Sequence, residues 1–101
     1  MSKKILDYLG IAKKGGMLIT GEEGVIRALQ TNKAKIVFVA SDASLNTLDK
    51  FKRKCFYYNV LCLDIFTSAE LSQAIGKLRK ILAITDKGIA IALEKTLEVN
   101  K

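Results

Sequence analysis

Apolar residues along this chain alternate between two patterns: stretches with a helical period, and short continuous runs bounded by turn residues. Behind Ser2, a residue able to cap a helix, Ile5, Tyr8, Leu9 and Ala12 share one face, and Gly15-Gly16 closes the run. Met17-Leu18-Ile19 predicts a short strand. Thr20, three residues before Glu23, has the spacing of a capping box, and the helix it opens carries Val25, Ala28 and Leu29 on one side and stops at Asn32. Residues 36–40 are β-branched, aromatic and continuous, the pattern of a central strand covered on both faces. After the turn Ser41-Asp42-Ala43-Ser44, Leu45, Leu48, Phe51 and Cys55 recur at helical spacing as far as Asn59. A strand follows over residues 60–65. A second capping box, Thr67 with Glu70, opens a helix carrying Leu71, Ala74 and Ile75, and Gly76 ends it. Residues 77–80 form a basic connection, residues 81–84 a fourth strand, and Asp86 caps a last helix with Ile89, Ala90, Leu93 and Leu97 inward, before a tail expected to fray from residue 98.

The predicted order is αβαβαβαβα. Strands alternating with helices imply an α/β fold, a parallel or mixed sheet with helices on both faces. At 101 residues, half of them apolar, the chain suits one domain over residues 1–101 with a core that needs no disulfide or metal. No apolar run approaches the roughly 18 residues of a membrane span, and the N-terminus lacks the apolar core of a signal peptide. A cytoplasmic protein without a membrane partner is expected. Cys55 and Cys62 are too few for a zinc site, and in such a compartment both are expected to stay reduced, with Cys62 as plain core.

The net charge of +7 changes the picture more. So large an excess on so small a domain draws polyanions over long range, RNA or DNA first. The chain contains no histidine, which removes Ser-His and Cys-His pairs and the imidazole base. The glycines match neither a phosphate-binding P-loop nor a dinucleotide fingerprint. Asp42, Asp64 and Asp86 fall at strand ends, where one aspartate per turn reads as a cap or turn residue. The pattern points to a binding protein, not an enzyme, and implies no cofactor.

The candidate site begins at residues 21–27. A helix start there turns free amides outward, favourable for phosphate, and Gly21 and Gly24 have no side chain to block a ligand. Arg27, one turn on, can fork onto phosphate or guanine. The same residues also read simply as a helix cap with turn glycines.

Four ordered segments weight this choice. They are Ala12-Lys13-Lys14-Gly15-Gly16-Met17-Leu18 leading to Gly21-Glu22-Glu23; Arg27-Ala28-Leu29 followed by Lys33-Ala34-Lys35-Ile36-Val37; Ala40-Ser41-Asp42-Ala43-Ser44 with Asn46-Thr47; and Glu70-Leu71-Ser72-Gln73-Ala74-Ile75-Gly76. Together they resemble the family of small ribosomal proteins that bind kink-turn RNA, the archaeal L-seven-Ae and eukaryotic L-thirty-e proteins among them, and look most like its small bacterial YlxQ-type members. The resemblance implies a three-layer α/β/α sandwich with a four-stranded mixed sheet, and binding of sharply bent RNA, ribosomal or kink-turn-like. It implies structured RNA as the partner and, in some settings, ribosomal or RNA-processing proteins; the small size and basic charge of the domain suit a monomer, though the sequence gives no oligomeric signal. It also implies the site: Gly21, Glu22, Glu23, Gly24 and Arg27 after the first strand, and the loop Ile65, Phe66, Thr67 and Ser68 before the fourth helix.

Kink-turn binders of the family show Gly-Thr-Asn-Glu and then a lysine. Here Arg27 takes the lysine position, Glu23 that of asparagine and Gly24 that of glutamate. A carboxylate can accept from base amino groups but repels phosphate. In the second loop, Ile65 is expected as the buried end of a strand and Phe66 as an exposed ring able to pack against an extruded nucleotide. Lys77, Arg79 and Lys80 are expected to add phosphate contacts, while the lysines and arginine of residues 50–54 are expected to solvate a helix outside the site. Two other readings stay open: a protein-interaction module on the same fold, and a small-ligand domain using the turns at Ser41-Asp42 and Thr85-Asp86.

Overall fold

The computed structural model describes the backbone of residues 2–99 and the side chains of residues 3–97. Its elements are α1 (Ser2–Lys14), β1 (Leu18–Thr20), α2 (Glu22–Gln30), β2 (Ile36–Val39), α3 (Leu45–Tyr57), β3 (Leu61–Leu63), α4 (Ser68–Ile75), β4 (Ile81–Ile84) and α5 (Lys87–Val99). The four strands form one mixed sheet in the order β1-β4-β2-β3. β2 runs parallel to β3, with Val37 opposite Cys62, and β4 runs antiparallel to both β1 and β2. Every residue of β2 and β4 is buried, so the two central strands are covered on both faces, as continuous apolar runs require. Helices α2 and α3 pack on each other and on the sheet, and α1 packs on α4 and α5. The result is the expected α/β/α sandwich. Its core contains no charged or polar residue among those described.

The element ends depart from the sequence pattern in informative places. β1 extends to Thr20, which pairs with Leu82, so Thr20 belongs to the sheet and caps nothing. The N-cap of α2 is Gly21, with no side-chain cap hydrogen bond; the capping box expected of Thr20 and Glu23 does not form. Gly21 has φ 89° and ψ 156°, a region open almost only to glycine, and this sharp step takes the chain straight from strand to helix. β3 is confined to Leu61–Leu63, shorter than the expected six residues. Leu45, expected on the buried face of α3, is 84% exposed, because the helix starts before its apolar face reaches the sheet at Phe51 and Cys55. α5 remains helical to Val99, past the expected fraying point. The side chain of Ser2, expected to cap α1, and the last two residues of the tail lie outside the described residues.

Other signals fold as read. Thr67 and Glu70 complete a reciprocal capping box. The Asp86 carboxylate accepts from the Ile89 amide, 2.8 Å. Asn32 and Asn59 take left-handed φ values of 61° and 59° beyond the ends of α2 and α3.

Candidate nucleic-acid interface

Because β4 runs against its neighbours, its N-terminal end lies beside the C-terminal ends of β1, β2 and β3. The loops leaving those three strands, and the basic connection entering β4, therefore meet at one end of the sheet. Backbone hydrogen bonds hold them there. The Gly21 amide donates to the Ile81 carbonyl (2.9 Å), the Ala40 amide to Lys80 (2.8 Å), and the Ser41 amide to Phe66 (2.8 Å). A side-chain clamp adds to these: the Asp42 carboxylate accepts from the Ser68 amide (2.9 Å) and from its hydroxyl (2.8 Å). Those two donors hold the Asp42 carboxyl below the usual carboxylate range, with help from the Lys80 charge.

Three helices start at this end, and they differ in what their free amides meet. At α4 the protein itself supplies the acceptors: Glu70 for Thr67, Asp42 for Ser68, and the Thr67 hydroxyl for Glu70. At α3 the Ser44 hydroxyl accepts from Thr47. The start of α2 has no side-chain cap, so the amides of Glu22, Glu23 and Gly24 are left facing outward. A helix start in this condition favours an anion.

The charged groups around it are arranged unevenly. Arg79 reaches across from the β4 connection and donates from Nε to the Thr20 hydroxyl (3.3 Å), while its amide donates to Ser72 (3.3 Å). It is thus held beside the α2 start. Arg27 lies on the exposed side of α2, and its guanidinium has no partner among the described residues. Lys77 and Lys80 are exposed. Glu22 is bridged to Lys50 of α3 at 3.4 Å, and Glu23 is exposed without such a bridge.

Three expectations are corrected. Phe66 is 2% exposed and stacks on Phe38, centroids 6.2 Å apart, so its ring is core and cannot receive a base. Ile65, expected inside, is 50% exposed. The two trade roles because β3 ends at Leu63 and the alternation of the strand does not extend into the loop. The missing side chain of Gly24 makes room for Ile19 inside the fold: a Cβ there would stand 2.9 Å from Ile19 Cγ2, so what Gly24 offers a ligand is its amide alone.

Sequence reasoning missed several contributions. Thr20 and Ser72 anchor Arg79, and the Asp42–Ser68 clamp joins residues 26 apart, which no local pattern reveals. Lys50 reaches the site through Glu22, although its helix was expected to stand apart. Leu78, 71% exposed between Lys77 and Arg79, was legible as an apolar residue stranded in a basic loop. With Ile65 it gives this end two apolar side chains able to pack against an unstacked base. Of the sequence-predicted residues, Gly21, Glu22, Glu23, Arg27, Ile65, Lys77, Arg79 and Lys80 are available at this end, while Phe66, Thr67 and Gly24 support its structure.

Among the described residues no helix is long and apolar enough to cross a membrane. Residues 3–94 match the Ribosomal protein L7Ae/L30e/S12e/Gadd45 family. A protein of Enterococcus faecium called RNA-binding protein YlxQ is 47% identical over 96 residues, spanning 95% of this chain and 93% of that protein. The Bacillus subtilis (strain 168) protein of the same name is 37% identical over 91 residues, 89% of this chain and 91% of that one. Among solved structures, a Bacillus halodurans C protein of unknown function superposes with a TM-score of 0.89 at 32% identity, covering 94% of this chain and 97% of its own. The Giardia lamblia 15.5kD RNA binding protein shares the fold, with a TM-score of 0.81 at 15% identity, over 97% of this chain and 88% of its own. The chain belongs to the Ribosomal protein L7Ae/L30e/S12e/Gadd45 family.

Proposed function

We infer that this is an RNA-binding protein without catalytic activity, which holds sharply bent, kink-turn-like RNA and works with ribosomal RNA as a cytoplasmic monomer, its 101 residues acting as one domain. The observation that carries the reading is the start of α2 without a side-chain cap, flanked by Arg79 fixed on Thr20 and by Arg27, whose guanidinium has no partner among the described residues. Family membership and the RNA-binding relatives support it.

The mechanism is positioning. The amides of Glu22, Glu23 and Gly24 receive a phosphate of the bent backbone, and Arg27 forks onto a phosphate or a guanine edge. Arg79, Lys77 and Lys80 add affinity by releasing counterions. Glu23 accepts from a base amino group. Ile65 and Leu78 pack against an unstacked base, the part first assigned to Phe66.

The test is titration of a kink-turn RNA at several salt concentrations, beside a plain duplex and a kink-turn with its G·A pairs replaced. Tight binding that requires the G·A pairs is expected, and Arg27→Ala should weaken it by about 1–3 kcal/mol if the guanidinium reads a base. Equal, steeply salt-dependent binding to all three RNAs would reduce the site to a generic polyanion surface. Exposed carboxylates at Glu22 and Glu23 favour one second reading, a basic protein segment bound on the same surface. Absence of binding to any RNA at low salt would turn the search there.

A further inference from the structure

The loop end of the sheet leaves one conspicuous surface unused. Helix α3 starts at that end, capped by Ser44, and runs 13 residues away from it, roughly 20 Å at helical rise. On its outer side Lys50, Arg53, Lys54 and Tyr57 follow at i, i+3, i+4 and i+7, and so form one stripe. The stripe ends in two aromatic residues that the fold leaves in water: Phe56 is 88% exposed and Tyr57 79%. Tyr57 is braced edge-on by Tyr58, centroids 4.8 Å apart at 90°.

Two open concavities share Arg53 and Tyr57. One, about 600 Å³, lies among Lys52, Arg53, Phe56 and Tyr57. The other, about 440 Å³, lies among Lys50, Arg53, Lys54, Tyr57 and Tyr58. The cations are held loosely. Arg53 pairs with Asp49 of its own helix (3.0 Å), Lys52 with Asp64 (2.8 Å) and Lys50 with Glu22 (3.4 Å), all exposed pairs of small net worth that a phosphate can replace. Lys54 has no carboxylate partner among the described residues.

We propose that this face of α3 is a second RNA-contact surface, which binds unpaired nucleotides leaving the folded RNA held at the loop end, bases on Phe56 and Tyr57 and phosphates along Lys50, Arg53 and Lys54. It rests on the RNA reading of the preceding section and extends it. Charge complementarity selects the occupant. A protein-docking face gathers its apolar residues at the centre and leaves charge to the rim. Here a row of cations leads to two exposed rings at its end, a combination that binds single strands by backbone neutralisation and stacking without base-edge readout. The Lys50–Glu22 bridge places the first cation of the stripe beside the α2 start, so a strand leaving the loop end meets the stripe at Lys50.

The test compares the full chain with its Phe56→Ala/Tyr57→Ala variant. Both side chains project into solvent, and thermal melting verifies that the variant folds. Three probes are titrated: a blunt kink-turn RNA, the same RNA with an unpaired oligouridine extension of about ten nucleotides, and that oligouridine alone. The extension should tighten binding of the parent protein by at least about tenfold and leave the variant unchanged, since stacking on two rings is lost. The blunt RNA should bind both proteins equally. An extension that gives no gain, or a gain that survives in the variant, overturns the proposal. The free oligouridine separates the two readings. If it binds the parent better than the variant while the blunt RNA binds neither, the α3 surface stands and the kink-turn reading falls. If it binds both proteins equally and the extension adds nothing, the α3 surface falls alone.

Discussion

Ile65 and Phe66 are adjacent and both apolar, yet the structure assigns them opposite duties, and substitution can separate these. The Phe66 ring is buried against Phe38. Phe66→Ala removes a whole ring from a closed core and should cost about 3–5 kcal/mol. For a domain of this size, each kcal/mol lowers Tm by about 4–8 °C, so a fall of at least about 12 °C is expected. Ile65→Ala removes three carbons from a side chain that is half in water, so the burial lost is worth about 1 kcal/mol at most. Its melting should shift by only a few degrees. The order reverses for RNA. Ile65→Ala should weaken kink-turn binding several-fold with the fold intact, and Phe66→Leu, which refills most of the core volume, should leave the Kd within about twofold in a protein that still melts cooperatively. Differential scanning calorimetry with fluorescence titration reads both quantities. If Phe66→Ala melted within about 3 °C of the parent and lost RNA affinity, the ring would belong to the binding surface and the account of this loop would be wrong.

Other outcomes follow from the same geometry. The Asp42 carboxyl is held below its ordinary range by Ser68, so its contribution is present above about pH 4 and fades as pH falls through the lower folded-state value. Asp42→Asn should therefore be less stable than the parent at neutral pH, the difference closing below about pH 4 in acid melts; a gap independent of pH would deny the charged clamp. The half-buried Cys62 thiol is held low by a hydrogen bond from Cys55, whose own thiol is pushed up by that bond and by burial. Iodoacetamide under native conditions should label Cys62 first, which peptide mass spectrometry can verify, and equal labelling would count against the thiol pair. Glu23→Gln keeps an acceptor and removes a charge. If the carboxylate reads a base amino group, RNA affinity should fall; a rise at low salt that vanishes at high salt would show that it only repels phosphate.

The layer order and sheet composition were legible because they depend on period: two continuous apolar runs became the two central strands, and the helices between them follow the 3.6-residue repeat. The Thr67 box and the asparagine stops were legible because each acts within four residues. The α2 start was misread for a physical reason. Thr20 and Glu23 have capping-box spacing, but pairing with Leu82 draws Thr20 into β1, and its hydroxyl serves Arg79 instead. Tertiary pairing overrode a local motif. The Ile65 and Phe66 exchange has the same origin, since two-residue alternation carries no information once the strand has ended. The Asp42–Ser68 and Lys50–Glu22 contacts, 26 and 28 residues apart, could be found only from the fold.

The carboxylates at the α2 start look at first like an obstacle to binding phosphate, and the magnitudes decide otherwise. Without RNA, Glu22 and Glu23 sit where a helix dipole favours negative charge, each worth about 0.3–1 kcal/mol, and so stabilise a helix start that no side chain caps. A phosphate about 4 Å from an exposed carboxylate is opposed by about 1 kcal/mol in water and by about four times that where solvent is partly excluded. Against this stand charge-assisted bonds from the α2 amides, and two arginines, at roughly 1.5–3 kcal/mol each. Attraction exceeds repulsion only if the arginines are placed beforehand, and Arg79 is placed, fixed on Thr20 and Ser72. Lys50 acts on the other side of the balance. Its bridge to Glu22 is long and exposed, worth at most about 1 kcal/mol, so the ammonium can turn to an arriving phosphate at little cost while partly neutralising Glu22 in the free protein. A Glu-Glu-Gly start thus remains compatible with RNA provided its neighbours are cationic and held, and here the fold brings them from the strand connection, as the sequence predicts, and from α3, where local sequence gave no hint of Lys50's nearness.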